Sequence, residues 1–416
     1  GGVAAAPPGG LNDPTPGMLH YPPPRKVPMS KVYLDHAATT PLDPEVLEAM
    51  LPYLKEEFGN PSSVHAWGRE ARAALERSRE KIAFTLNADL KEIVFTSGGT
   101  ESVNAVHKGV AWASPGKARH FIVSAVEHSC VAETAEWLTN QGYPVTTVGC
   151  DAQGWVDPEA VRRAIRPGET RLVSVMAANN EVGTLQSVRE IGRLCREQGV
   201  LFHTDAVQAY GKVPLDVQKD FIDFLSVSGH KIYGPKGSGF LYQRRGLDLV
   251  PLIHGGGQER DRRGGTENVA ALVGLGEAAW RICNDTAERD RLRALTGLFL
   301  EELGKSLPAF RLNGPDRPER RLPGLVNITL PGMEGETLVH SLDAKGFAAS
   351  SGPACSAGAA PPSRVLTAMG RSPKEAKQGL RLSFGRSTGE AQVKLLAGAL
   401  PGIVEQLSRM ASFLDE

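Results

Sequence analysis

Residues 221–231 read Phe-Ile-Asp-Phe-Leu-Ser-Val-Ser-Gly-His-Lys, an apolar run that ends in a lysine. Residues 221–227 are rich in Val, Leu, Ile and Phe, which is the composition of a buried β-strand. Lys231 follows this strand and precedes a Gly-Pro turn, where burial would lower the pKa of its amine as Schiff-base chemistry requires. An exposed surface lysine is the ordinary alternative. Ser228 and His230 flank Lys231 as potential phosphate ligands, so this strand end is the first candidate functional region.

Similar apolar runs alternate with amphipathic stretches of helical length from residue 31 onward. We predict strands at residues 92–96, 120–124, 145–148, 171–176, 200–203, 221–227 and 239–242. We predict helices at residues 100–112, 131–141, 158–165 and 188–198. Alternating strands and helices are typical of β-α-β units, so the pattern predicts an α/β fold with a mainly parallel sheet. A ligand would then bind beyond the carboxyl ends of the strands.

The chain divides by composition and pattern into three parts. Its 416 residues are enough for two or three domains. Residues 1–30 hold five Gly and eight Pro, which predicts a disordered leader; a tag remnant or a targeting relic is also compatible. Residues 31–265 would form a large α/β domain, whose N-terminal segment packs on the other domain. Residues 266–416 would form a smaller α+β domain, which opens with a long helical stretch at 270–307.

Composition excludes several classes of protein. Lys+Arg and Asp+Glu both number 47, and this zero net charge argues against a general binder of nucleic acid or of anionic membranes. No run approaches the roughly 20 apolar residues of a membrane-spanning helix. The five cysteines form no C-x-x-C pair, so we predict no metal site and reduced thiols in a cytoplasmic protein. An organelle is the alternative if residues 1–30 are a targeting relic.

Two further polar clusters follow predicted strands. At residues 97–100, Ser-Gly-Gly-Thr joins a strand to a helix, where small residues and helical N–H groups suit a phosphate, although an ordinary capped turn would look the same. Asp205 follows another strand, and it could cap the next helix or hold a protonated ring nitrogen. A phosphate turn, this aspartate and the embedded Lys231, in that order on an α/β chain, together fit pyridoxal 5'-phosphate.

The sequence resembles the class V, aspartate-aminotransferase-type pyridoxal phosphate enzymes of fold type I, and within them the cysteine desulfurases of the NifS/IscS type. The resemblance extends from about residue 31 to about residue 410 and rests on ordered motifs. These motifs are YLDHAATTP at 33–41, TSGGTE at 96–101, EH at 127–128, NNEVG at 179–183, HTD at 203–205, SGHKIYGPKG at 228–237, GGGQER at 255–260, GT at 265–266, SSGPACS at 350–356 and RLSFGR at 381–386.

The resemblance implies a role for each candidate residue. Lys231 would form the Schiff base with the cofactor, Asp205 would pair with its pyridine nitrogen, and Gln208 with its phenolic oxygen. His128 would stack on the ring and move protons. The phosphate ligands would be Gly99, Thr100, Ser228 and His230, with Thr266 supplied by the second subunit of a homodimer. Asn180 would contact both cofactor and substrate, and Arg381 would bind the substrate carboxylate through its planar fork.

Cys355 would decide the reaction. It lies in residues 348–360, of which eleven of thirteen are Ala, Ser or Gly. Such a segment has little side-chain mass to bury and should be mobile and accessible, whereas structural cysteines prefer burial. We therefore predict a catalytic thiol at Cys355 and structural roles for the other four cysteines. Pro353 departs from the small residue usual in relatives, and it could stiffen the loop.

The resemblance implies a cysteine desulfurase, which converts L-cysteine to L-alanine and leaves the sulfur on Cys355 as a persulfide. An acceptor protein for iron–sulfur cluster assembly or tRNA thio-modification would then take the sulfur, with no direct contact to nucleic acid or membrane. The alternatives are a selenocysteine lyase, another class V reaction such as an aminotransferase, or a non-catalytic scaffold for sulfur-handling partners.

Overall fold

The computed structural model describes residues 31–113, 116, 119–307, 309–352 and 361–414. The strands are β1 (Val32–Tyr33), β2 (Ile93–Thr96), β3 (His120–Ser124), β4 (Val145–Val148), β5 (Thr170–Ser174), β6 (Leu201–Asp205), β7 (Phe224–Ser228), β8 (Gly239–Gln243), β9 (Arg311–Asn313), β10 (Leu325–Thr329), β11 (Phe347–Ala348) and β12 (Gly379–Ser383). The helices are α1 (Pro44–Lys55), α2 (Ala66–Leu86), α3 (Gly99–Trp112), α4 (Ser129–Asn140), α5 (Pro158–Ala164), α6 (Val188–Glu197), α7 (Gln258–Asp261), α8 (Val269–Asn284), α9 (Thr286–Ser306), α10 (Gly335–Ala344), α11 (Arg364–Ala368), α12 (Pro373–Ala376) and α13 (Glu390–Leu414).

The seven-stranded sheet at the centre has the order β2-β8-β7-β6-β5-β3-β4. Strands β7, β6, β5, β3 and β4 run parallel to one another, and β8 runs antiparallel to both of its neighbours. Helices α4, α5 and α6 connect β3, β4, β5 and β6, whereas turns join β6 to β7. Strands β2, β3, β5, β6 and β7 are almost wholly buried. The predicted α/β fold with a mainly parallel sheet is confirmed.

Two of the predicted elements differ from the structure. The strand predicted at 221–227 is β7 and begins only at Phe224, because Phe221 has a φ of 55° in a turn closed by a hydrogen bond from Ile222 N to Val217 O. The helical stretch predicted at 270–307 is two helices rather than one. Asp285 separates them, since its side chain accepts a hydrogen bond from Glu288 N and caps α9.

A three-stranded antiparallel sheet, β12-β10-β9, lies in the C-terminal part of the chain. Near it, β1 pairs in parallel with β11, and the next residues continue the contact through a bridge between Asp35 and Ser383. The residues after β1 thereby reach both β12 and the end of β7, which positions them beside Lys231. The predicted domain boundary at residue 265 stays a prediction. None of the described helices is long and apolar enough to cross a membrane.

A left-handed turn, α7, precedes α8 and is held by a buried ion pair. Glu259, Arg260 and Asp261 have φ values of 48°, 58° and 63°, a conformation that costs a residue with a side chain roughly 1–2 kcal/mol. Both oxygens of Glu259 accept hydrogen bonds from Arg79, each at 2.8 Å, and Oε2 also accepts from Phe95 N. Both side chains of the pair are 3% exposed. This buried contact stabilises a backbone that the local sequence disfavours.

Replacing Glu259 by glutamine should lower the free energy of unfolding by about 3 kcal/mol, because the buried Arg79 guanidinium would lose its buried counter-ion. Glu76→Gln is the matched control: this carboxylate also pairs with Arg79, but its side chain is 35% exposed, so its loss should cost less than about 1 kcal/mol. Urea unfolding of the two variants and the wild type measures the difference. Equal losses in both variants would contradict the role given to Glu259.

Candidate active site

The predicted site residues come together at the carboxyl ends of the parallel strands. Asp205 is the last residue of β6 and Ser228 is the last residue of β7, and Lys231 closes the 3-10 turn that follows β7. His128 follows β3 and caps α4, and Asn180 follows β5. Electrostatic coupling joins His128, Asp205 and Lys231. The sheet topology therefore assembles residues that are distant in sequence.

The Lys231 amine is held by two backbone carbonyls. Its Nζ donates hydrogen bonds to Ala37 O and Ala38 O, each at 2.7 Å. Burial is the largest cause that lowers the pKa of Lys231, to about 8, and the positive charge of Arg381 adds to it. Asp35 and Asp205 act in the opposite direction without cancelling the shift. A substantial fraction of the amine is therefore neutral near physiological pH, the form that can accept a proton or attack a carbonyl carbon.

Asp205 is a buried carboxylate at the centre of the cluster, only 3% exposed. Its Oδ1 accepts a hydrogen bond from Val207 N at 2.9 Å, and Oδ2 has no hydrogen-bond partner among the described residues. Burial raises the pKa of Asp205, while His128 and Lys231 favour its ionised form. The side chain is thus fixed through one oxygen and leaves the other for a cationic partner.

His128 combines a structural and a potential catalytic contact. Its Nδ1 accepts a hydrogen bond from Cys130 N at 3.2 Å and lies 3.0 Å from Cys130 Sγ. Because Nδ1 accepts, the neutral ring carries its proton on Nε2. Desolvation lowers the pKa of His128, so the ring is neutral at pH 7. It can therefore offer an Nε2–H donor toward the cluster.

A glycine turn and two polar side chains form the predicted phosphate region. Gly98 is the N-cap residue of α3, so no side chain at this position occupies the first-turn N–H groups. An added Cβ on Gly98 would lie 3.5 Å from Ser228 Oγ. An added Cβ on Gly99 would lie 2.6 Å from Val207 Cγ2, so a side chain there would need Val207 to shift. Thr100 is exposed on the first turn of α3. The helix N-terminus thus presents free N–H groups beside a buried serine hydroxyl, the pattern that binds anions.

Three other predicted ligands have distinct surroundings. His230 Nδ1 lies 3.1 Å from Thr39 Oγ1, and burial together with Lys231 lowers its pKa to about 4, so it is neutral. Gln208 is 4% exposed and donates from Nε2 to Ala37 O at 2.9 Å. Thr266 is exposed before α8, and it makes no hydrogen bond to the other predicted phosphate ligands in the part of the chain that the structure describes.

Arg381 and Asn180 form a potential carboxylate-binding pair. Arg381 is 3% exposed, its Nη2 lies 2.9 Å from Asp35 Oδ1, and its Nη1 donates to Asn180 O at 3.1 Å. The buried atoms Arg381 Nε and Asn180 Oδ1 have no hydrogen-bond partner among the described residues. Unsatisfied buried groups are costly, so these atoms mark a place where a polar ligand is expected.

The cysteines outside the predicted catalytic loop are poor nucleophiles. Cys355 and Pro353 lie outside the described residues. Burial raises the pKa of the thiols of Cys130 and Cys195, and it raises that of Cys150 to about 11. The pKa of Cys283 is also raised by burial. At neutral pH these thiols are protonated, and thiols in that form attack slowly.

Glu127 is a site residue to which the sequence analysis gave no role. Its Oε1 accepts hydrogen bonds from Ser124 Oγ at 2.6 Å and Met176 N at 2.8 Å, while Oε2 is buried without a partner. Burial raises the pKa of Glu127 to about 8, and Asp205 contributes in the same direction. Glu127 is therefore a neutral acid at pH 7. The Glu-His pair at 127–128 was visible in the sequence, but burial could not be derived from it.

Glutamine should replace Glu127 well, since its carbonyl can accept the same two hydrogen bonds. Between about pH 4.5 and 8 the unfolded carboxyl ionises while the folded one stays protonated, so wild-type stability falls as pH rises. The Glu127→Gln variant lacks this loss, and its stability relative to wild type should rise by up to about 1.4 kcal/mol per pH unit. Urea unfolding of both proteins at several pH values measures the difference in their free energies of unfolding. A stability difference that is constant from pH 5 to about pH 8 would contradict a neutral Glu127.

The sequence model described as aminotransferase class-V matches residues 32–396, and so spans the sheet and the cluster around Lys231. The chain belongs to this family. A relative named cysteine desulfurase IscS, from Methanosarcina thermophila, is 47% identical over 381 residues, which cover 91% of this chain and 93% of the relative. A putative cysteine desulfurase IscS 1 from Bacillus subtilis is 44% identical over 382 residues, 91% of this chain and 100% of the relative.

Solved structures of similar proteins have the same fold. One described as a NifS-like protein matches with a TM-score of 0.84 at 35% identity, over 90% of this chain and 99% of the other. A second, described as SspA in complex with cysteine, matches with a TM-score of 0.76 at 39% identity, over 86% of this chain and 99% of the other.

Enzymes of this family use pyridoxal 5'-phosphate, and the cluster fits this group. The free N–H groups of the α3 N-terminus suit its phosphate, and the remaining oxygen of the buried Asp205 carboxylate, Oδ2, suits a protonated ring nitrogen. The Lys231 amine, with its lowered pKa, suits a Schiff base. A Cβ at Gly99 would clash with Val207 Cγ2, which explains why a glycine stands at this turn.

Proposed function

We propose that the protein is a cysteine desulfurase that converts L-cysteine to L-alanine and transfers the sulfur to Cys355. The observation that carries the proposal is the cluster of Lys231, Asp205 and His128 beside the unsatisfied Arg381–Asn180 pair, in a chain close in sequence to desulfurases. This arrangement pairs a proton-transferring amine with a subsite for an amino-acid carboxylate.

Arg381 and Asn180 bind and orient the substrate. The free Nε–H of Arg381 and the Nδ2–H group of Asn180 donate to its carboxylate, the Asn180 Oδ1 accepts from the substrate's amino group, and Asp35 keeps the guanidinium in place through Nη2. This contact fixes the substrate Cα close to the amine of Lys231. The Asp35 contact therefore holds Arg381 in position before the substrate binds, so the carboxylate subsite is preorganised.

Lys231 and His128 move the protons. Lys231 removes the proton from the substrate Cα and later returns one to the product, a task its lowered pKa permits. His128 exchanges a proton with the substrate thiol through its Nε2. When bound, pyridoxal phosphate supplies the electron sink at Cα, and Asp205 holds its ring nitrogen in the protonated form.

The sulfur transfer needs no external oxidant, because the substrate carbon is reduced as the sulfur atoms are oxidised. The Cys355 thiolate attacks the substrate sulfur, so an S–S bond forms and the substrate Cβ–S bond breaks. Cβ gains hydrogen and is reduced to the methyl group of alanine, while the two sulfur atoms are oxidised to the persulfide level. A thiol reductant or an acceptor thiol then takes the outer sulfur and restores Cys355.

The setting of the reaction is part of the same proposal. The enzyme would act in the cytoplasm as a homodimer, with Thr266 of one subunit completing the phosphate site of the other. Its exposed position before α8 supports a contact outside its own chain. The large domain of residues 31–265 would hold the cofactor and the small domain of residues 266–416 would carry the Cys355 loop. A sulfur-acceptor protein would receive the persulfide.

The test supplies the purified holoenzyme with L-cysteine and a thiol reductant and measures alanine and sulfide together. The proposal expects equal amounts of both, without any added keto acid. A requirement for a keto acid would instead indicate an aminotransferase. Alanine formed only from L-selenocysteine would indicate a selenocysteine lyase, and no product from either substrate would indicate a scaffold.

A further inference from the structure

Lys212 is a partly buried amine behind the candidate active site. It follows Gly211, whose φ is 75° and where an added Cβ would lie 2.5 Å from Ile282 Cγ2, so the backbone is pinned against α8. The Lys212 side chain turns inward, and its Nζ donates a hydrogen bond to Gln208 Oε1 at 3.3 Å. The amine therefore lies behind a side chain that faces the Lys231 cluster.

No carboxylate lies within ion-pair distance of Lys212 in the described ranges of the chain. Desolvation lowers the pKa of Lys212 to about 7, and the positive charges of Lys231 and Arg381 act in the same direction. Other charged or titratable groups line the same cavity, namely His36, Tyr233, Asp285, Glu288 and Arg289. The two acids pair elsewhere, Glu288 with Arg291 at 2.7 Å and Asp285 with Arg386 at 3.8 Å. Burying a charged amine without a counter-ion lowers the stability of the fold, so we expect a functional role for Lys212.

Gln208 and Lys231 share one acceptor. Gln208 Nε2 and Lys231 Nζ both donate to Ala37 O, at 2.9 and 2.7 Å. In its charged form Lys212 can only donate, so Gln208 turns its carbonyl oxygen to Lys212 and its NH2 group to the opposite side. The three side chains therefore form one chain of hydrogen bonds, from Lys212 through Gln208 and Ala37 O to Lys231.

We propose that Lys212 is a positioning residue, which holds the Gln208 carboxamide by its oxygen and so directs the Gln208 NH2 group toward Ala37 O and the Lys231 amine. The proposal rests on the proposed role of Lys231 but not on the identity of the substrate. The two amines form a coupled pair that holds fewer than two protons near neutral pH. The charged groups that act on Lys231 are Arg381, Asp35 and Asp205.

The test measures Lys231 directly in the full-length protein freed of cofactor. An amine-acylating reagent is applied over a range of pH, and the modified Lys231 peptide is quantified by mass spectrometry. In Lys212→Met no donor holds the Gln208 carboxamide, so its carbonyl oxygen can turn toward the Lys231 amine and favour the charged form. The midpoint of Lys231 modification should then rise by about half a pH unit or more. In Lys212→Arg the charge persists at every pH, so the midpoint should stay at or below that of the wild type. The control is Lys219→Met, which removes an exposed amine paired with Asp216.

Thermal unfolding of the same variants separates positioning from a structural role. Removing an uncompensated charge should leave the melting temperature of Lys212→Met equal to or above that of the wild type below about pH 7. The visible absorbance of the holoenzyme, titrated with acid and base, should change its midpoint in Lys212→Met and not in Lys219→Met. Equal Lys231 midpoints in the wild type, Lys212→Met and Lys212→Arg would overturn the proposal, whether or not the enzyme proves to be a desulfurase. A lower melting temperature of Lys212→Met with unchanged midpoints would show a structural role alone.

Discussion

Lys231→Arg should form alanine from L-cysteine about 1000-fold more slowly than the wild type. Arginine fits the same position and can still donate to the carbonyls of Ala37 and Ala38. It cannot lose its proton at accessible pH, so it can neither accept a proton from the substrate nor form a Schiff base. The change therefore removes the chemistry of the amine while it retains the charge and most of the contacts.

Lys236→Arg is the matched control for this variant, because Lys236 is exposed five residues further along the same segment. It should have wild-type activity. Initial rates of alanine formation at saturating L-cysteine, together with the melting temperatures, measure both variants. If Lys231→Arg kept more than about a tenth of the wild-type rate, Lys231 would not be the group that transfers the proton.

Asp205→Asn should lower the same rate by about 100- to 1000-fold. Asparagine has nearly the same shape, and its carbonyl oxygen can still accept the hydrogen bond from Val207 N, so the fold should be retained. It lacks the negative charge that would keep the cofactor ring nitrogen protonated in a fully buried position. The loss should therefore appear in the turnover rate rather than in the Michaelis constant for L-cysteine.

Two comparisons distinguish the loss of the Asp205 charge from general damage to the site. The melting temperature of Asp205→Asn should remain within a few degrees of the wild type, since burial opposes the ionised carboxylate in the free protein. Glu127→Gln, next to the same cluster, should retain most of its activity because Glu127 is already neutral. Equal losses of activity in Asp205→Asn and Glu127→Gln would indicate general damage to the site rather than a role for the Asp205 charge.

Much of the fold could be predicted because the buried parallel strands are short apolar runs, which differ clearly from the amphipathic helices between them. The strands at 120–124 and 145–148 were predicted with the bounds that the structure has, since both are short apolar or β-branched runs between helices. The clusters at Asp205 and Lys231 could be predicted to meet because polar residues that follow parallel strands share one edge of the sheet.

The parts that could not be predicted depend on contacts between distant segments. The left-handed turn at Glu259 has no local signal, because its stability comes from Arg79, which lies 180 residues earlier. The carbonyls of Ala37 and Ala38 reach Lys231 only because β1 pairs with β11 and brings the following residues across. The lowered pKa of Lys212 results from burial and two neighbouring cations, and none of these is visible in its local sequence.

Sulfur transfer to Cys355 is the step that defines the proposed reaction. The direct measurement gives the holoenzyme one equivalent of L-cysteine without reductant and determines the mass of the peptide that contains Cys355. We expect one added sulfur on that peptide and one alanine per active site in the wild type and in Cys150→Ser, but neither product at a comparable rate in Cys355→Ser. Alanine formed at the wild-type rate by Cys355→Ser, or sulfur found on Cys130 instead, would contradict the account.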